Sequence, residues 1–157
     1  MSTFDDARKL IHLLREGRDY FAFAHDEVVD REVAEVFARA LRARRELLED
    51  LVTTRLLFQT SPAHATPSLN ADTGYEGLRH QFDPHHPRMQ AEALYERERQ
   101  LIGLIEDLFE ADSSPKLQFA LKRHYAQFVE LARTLDAWRG PVGTLPTGSV
   151  TDSLGLA

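Results

Sequence analysis

The chain has 157 residues, enough for one domain with a sizeable core. Hydrophobic residues make up 43% and charged residues 28%, with a net charge of −6, which argues against a general nucleic-acid role. Cysteine is absent, so disulfides and thiolate metal sites are excluded, and no apolar run approaches the ~20 residues of a membrane span. The first residues, MSTFDDARK, lack the apolar run of a signal peptide, so a cytoplasmic protein is the default expectation.

The first predicted helix starts behind Ser2 or Thr3 as cap, with Asp5 and Asp6 in the first turn, where the helix dipole favours acids. Its apolar stripe is Leu10, Leu13, Leu14, Gly17, Phe21, Ala24 and Val28. A glycine in mid-helix costs up to ~1 kcal/mol relative to alanine, so Gly17 points to close approach by a large neighbouring side chain. His12 falls on the outward face and His25 at the edge of the stripe. The join to the next helix, near Val29 and Asp30, is short enough to make the two helices antiparallel neighbours.

The second helix runs over residues 30–58 behind Asp30 as N-cap. Apolar residues recur at Val33, Val36, Phe37, Ala40, Leu41, Leu47, Leu48, Leu51, Val52 and Phe58, steps of three and four that gather into one stripe. Arg44 interrupts that stripe within roughly 20° of its centre on a helical wheel. A guanidinium facing a core is costly unless it is paired.

Residues 60–88 change composition, with four prolines, two glycines and four histidines. They read as a long crossover with one short helix at 75–82. The third helix, over residues 89–111, places Leu94, Tyr95, Leu101, Ile102, Ile105, Leu108 and Phe109 on one face with Glu98 in its middle. Ser113, Ser114 and Pro115 mark a stop and restart. The fourth helix, over residues 115–138, carries Leu117, Leu121, Phe128, Leu131, Ala132, Leu135 and Trp138, with His124 at the stripe's centre. Gly140-Pro141 is its expected end, followed by a tail rich in Gly, Pro, Ser and Thr.

Four amphipathic helices without a strand signal predict an all-α four-helix bundle over residues 1–139, with a flexible tail over 140–157. Glu16, Gly17, Tyr20, Arg44, Glu98 and His124 each fall near the middle of their helices. Aligned end to end, they predict a buried polar layer in which Arg44 and Glu98 form an ion pair and His124 bonds to it. A di-iron reading needs Glu-x-x-His pairs on two helices, and these helices have none. The inward metal candidates are Glu16, Glu98 and His124, and a permanent cation at Arg44 would repel a divalent ion beside them. His80, Asp83, His85 and His86 form a second candidate cluster in the crossover. No nucleophile–base arrangement, phosphate loop or dinucleotide motif is present.

The run Leu10, Leu14, Glu16-Gly17, Phe21 and Ala24 is similar to the first helix of the uncharacterised four-helix-bundle family DUF2383 of the ferritin-like superfamily. Asp30, Phe37, Ala40, Arg44 and Leu51 resemble its second helix, Gly74 to Phe82 its short connecting helix, and Glu96-Arg97 with His124 to Leu135 its last two. The resemblance spans roughly residues 8–138 and implies a ferritin-like fold; it brings no established reaction with it. Glu16 stands where the family usually has Asp, and Arg42-Ala43 where acids are common, so both departures weaken a metal site. The tail resembles the C-terminal peptides that dock ferritin-like cargo in encapsulin shells, with Val142, Leu145, Val150, Leu154 and Leu156 as aliphatic anchors on a spacer.

The leading expectation is therefore a non-catalytic bundle without a cofactor, acting by association as a homo-oligomer, with no nucleic-acid or membrane partner. The alternatives are an encapsulin cargo protein engaged through its tail and an atypical iron-binding oxidase.

Overall fold

The computed structural model describes residues 3–53, 73–111 and 114–144, and these are all-helical in their regular elements, with no strand among them. Helix α1 is Thr3–Glu27, α2 Arg31–Thr53, α3 Tyr75–His80, α4 Ala91–Glu110 and α5 Pro115–Thr144. A 3₁₀ turn, Pro87–Gln90, leads into α4. None of the described helices is long and apolar enough to cross a membrane.

Local chemistry sets the helix starts. The Asp30 carboxylate accepts from the backbone N–H of Glu32 at 2.8 Å and of Val33 at 3.3 Å, capping α2. The Ser114 hydroxyl accepts from the Leu117 N–H at 3.1 Å, with Pro115 at the first helical position of α5. Thr3 is already helical, and Ser2 lies outside the described residues.

The four long helices pack around one core, α1 against α2 and α4, and α5 against α2 and α4. The three-residue join between α1 and α2 reverses the chain. Phe37 near the start of α2 meets Trp138 near the end of α5, and Asp50 near the end of α2 meets His124 in the first half of α5, so these two run antiparallel. Tyr20, late in α1, bonds to Gln90 just ahead of α4, so α1 and α4 run antiparallel as well. It follows that α2 and α4 point the same way from opposite corners. A chain that ends α2 and restarts α4 in the same direction must travel back the length of the bundle, about 34 Å for 23 residues. The return is complete by Pro84, whose carbonyl accepts from Val29 N–H at the α1–α2 turn.

The stripes read from periodicity form this core. Leu10, Leu14, Phe21, Val33, Phe37, Leu47, Leu51, Leu101, Ile105, Leu121 and Phe128 are buried. Four expectations change. Val52 is 43% exposed, because it lies roughly 140° around the wheel from Leu47. The short crossover helix stops at His80, short of Phe82. The third helix begins regularly at Ala91, with the 3₁₀ turn occupying the residues just before it. Helix α5 continues through Gly140-Pro141 to Thr144. Proline in a helix forfeits one hydrogen bond and crowds the carbonyl four residues back, and before Pro141 the Cβ-less Gly140 removes only the further clash with the preceding residue. Val142 thus falls in the last turn of α5, while Leu145, Val150, Leu154 and Leu156 lie outside the described residues, as does Phe58.

Candidate functional site: a buried ion pair between the helices

Arg44 is fully buried, and every long helix contributes to its surroundings. Its Nη2 donates to Glu98 Oε1 on α4 at 2.6 Å, and its Nη1 donates to the Ala40 carbonyl one turn back on α2 at 3.2 Å. The guanidinium carbon lies 4.7 Å from the Phe21 ring centre on α1 and 5.6 Å from that of Phe128 on α5. Two aromatic faces and a carboxylate are a favourable setting for a desolvated cation. Burial pulls the Arg44 pKa down, but the adjoining Glu98 carboxylate and Tyr75 outweigh it, so the guanidinium holds its proton more firmly than usual.

Gly17 makes room for this side chain. A Cβ there would lie 2.6 Å from Arg44 Nε and 3.1 Å from the Tyr75 hydroxyl. Tyr75 enters from α3, the short crossover helix. Its hydroxyl stands beside the guanidinium without hydrogen-bond geometry, and burial, only partly offset by Arg44, raises its pKa. Tyr75 follows Gly74, whose φ of 88° is a left-handed value. A Cβ on Gly74 would also meet the end of the Arg97 side chain, which can swing aside, so it is the positive φ that calls for glycine there. Among the described residues, Arg44 Nε, Glu98 Oε2 and the Tyr75 hydroxyl are buried without a hydrogen-bond partner.

The other predicted members of the layer sit elsewhere. His124 is 3% exposed and does not join the ion pair. Its Nε2 lies 2.6 Å from Asp50 Oδ2, and Arg123 stands 3.7 Å from the same oxygen. Asp50 is six residues beyond Arg44 on α2, about 9 Å along the axis, so His124 belongs to a second polar site nearer the other end of the bundle. Tyr20 lies next to the layer rather than in it. Its ring is 5.6 Å from that of Tyr75, and its hydroxyl donates to Gln90 Oε1 at 2.5 Å. Burial, with Tyr75 adding to it, holds the Tyr20 pKa well above the usual phenol value. Glu16 is half-buried and takes no part in the Arg44–Glu98 pair.

Nothing among the described residues gathers three or more His, Asp or Glu groups as a metal ion requires. Glu16, Glu98 and His124 do not converge. In the crossover, His80 pairs with Glu76 at 3.1 Å, whereas Asp83 accepts from the His85 backbone at 2.9 Å and faces His86 Nδ1 at 3.0 Å. Those bonds to His85 and His86 hold the Asp83 pKa below its ordinary value. The donor set near the centre is one carboxylate oxygen beside a permanent cation, which does not fit iron.

The roles of Tyr75, Phe21, Phe128 and Asp50 are not evident from periodicity. Asp50 left only a weak signal, an acid about 60° from Leu47 at the edge of the α2 stripe. Comparison with protein-family models, with curated proteins and with solved structures gave no match.

Proposed function

We propose that this chain is a non-catalytic helical bundle of ferritin-like topology that acts through association, first of all with copies of itself. The observation that carries this reading is Arg44, walled by Phe21 and Phe128 and tied to Glu98 where a substrate or metal would have to enter. A fully buried, paired guanidinium presents nothing to solvent and repels divalent ions. Its role is to set helix register, since an unpaired charge on either partner would make any other alignment expensive. The long crossover joining two parallel, diagonally placed helices supports the ferritin-like reading, because that superfamily uses one such connection. This is also the arrangement that the resemblance to the DUF2383 family implies.

Native mass spectrometry of untagged protein tests both halves of the proposal. A defined oligomer without stoichiometric metal is the expected result. A monomer would remove the association reading, and one or more equivalents of iron per chain would replace it with a metal-binding one.

A further inference from the structure

We infer that the ion-pair layer is a binding site for a single internal water molecule, which joins Arg44, Glu98 and Tyr75. Three polar atoms here are buried and lack partners: Arg44 Nε, Glu98 Oε2 and the Tyr75 hydroxyl. They are one obligate donor, one obligate acceptor and one group that can do either. Water accepts from the first, donates to the second and bonds to the third in whichever sense is left. A small anion would meet the repulsion of the Glu98 carboxylate, and one without an O–H could not donate to it; no metal ion accepts from a guanidinium N–H.

The three atoms share one neighbourhood. Arg44 Nε and the Tyr75 hydroxyl both lie against Gly17, at 2.6 Å and 3.1 Å from where its Cβ would be. Glu98 is fixed to the same guanidinium through its other oxygen and lies near enough for its charge to act on Tyr75. Buried waters in globular proteins typically make about three hydrogen bonds to groups otherwise unsatisfied. The site has a structural consequence. The crossover helix α3 is already tied to the core by the packing of the Tyr75 ring on Tyr20 and Phe21, and the water adds a hydrogen-bonded bridge from its hydroxyl, which stands beside the guanidinium, to the ion pair.

Two measurements on the full chain decide the matter. Oxygen-17 relaxation dispersion counts long-lived internal waters. The wild-type protein should hold one more than the Arg44→Met/Glu98→Leu variant, whose layer offers neither the donor nor the acceptor. In wild-type protein, a laboratory-frame Overhauser cross-peak between water and Arg44 Hε should carry the sign of a long-residence contact, and its rotating-frame counterpart the sign of dipolar contact rather than proton exchange. Equal dispersion amplitudes overturn the inference, and so does a well-resolved Hε without a water cross-peak. The second measurement needs no variant and stands alone if the double substitution prevents folding.

Discussion

Gly17 on α1 and Arg44 on α2 are a matched pair: the space left by the missing side chain of one holds the guanidinium of the other. A Cβ on Gly17 would stand 2.6 Å from Arg44 Nε, and the same side chain is walled by Phe21 one turn further along α1. Alanine is intrinsically better than glycine in mid-helix by about 1 kcal/mol. Gly17→Ala should nonetheless destabilise by about 1–3 kcal/mol, because a buried, doubly bonded guanidinium has nowhere to move. Gly103 on α4 is the control, since nothing lies within 4 Å of a Cβ placed there. Gly103→Ala should stabilise by roughly 0.5–1 kcal/mol. Urea unfolding of both variants checks the opposite signs.

Removing the cation alone should be severe. Arg44→Met leaves the Glu98 carboxylate buried without its partner, a loss of about 3–5 kcal/mol. Arg44→Met/Glu98→Leu removes both charges at similar volume and should recover most of that loss. Equal and additive losses in urea melts of the two single variants and the double would reject the pairing.

The His124–Asp50 site should be energetically separate. It lies about 9 Å along α2 from Arg44, and the close carboxylate contact of His124 runs to Asp50 whereas that of Arg44 runs to Glu98. Asp50→Asn should cost about 1–2 kcal/mol, and its effect should add to that of Arg44→Met within about 0.5 kcal/mol. A larger coupling energy in a double-mutant cycle would restore a single connected layer.

Alkaline pH should unfold the protein through its buried phenols. Tyr20 and Tyr75 both have pKa values raised above the ordinary 10.0, chiefly by burial. The folded state therefore keeps protons that the unfolded chain releases. The stabilisation is complete below about pH 10 and falls as pH rises toward the folded values, by up to ~1.4 kcal/mol per pH unit for each phenol. Tyr20→Phe and Tyr75→Phe should each flatten that decline. Stability measured by urea titration between pH 8 and about 11 would show it, and a slope unchanged in both variants would contradict it.

Much of this arrangement is readable before any coordinates. The stripes of α1, α2, α4 and α5 are strongly periodic, and Arg44 and Glu98 announce themselves as charges at the centres of apolar faces. Gly17 is legible too, as a helix-weakening residue on a buried stripe. The layer's remaining members are less visible for definite reasons. Tyr75 lies on a six-residue helix, too short for periodicity to assign a face, and is aimed by the left-handed Gly74 before it. Phe21 and Phe128 look like ordinary core residues, because a ring walling a cation occupies the same stripe as a ring packed on leucine. The partner of His124 is Asp50 rather than the ion pair, since equal depth in a helix does not fix height in the bundle. A shift of six residues, about 9 Å, moves it from Glu98 to Asp50.

The pairing of Arg44 with Glu98 spans 54 residues and joins two locally built units, the α1–α2 hairpin and the α4–α5 hairpin. Each hairpin can form from near neighbours in the chain, but the charges can shed their hydration only after the hairpins have met. Closure of the layer should therefore come late on the path to the native state. Variants of Arg44 should refold at nearly the wild-type rate and unfold much faster, so this contact sets how long the native state lasts rather than how quickly it is reached.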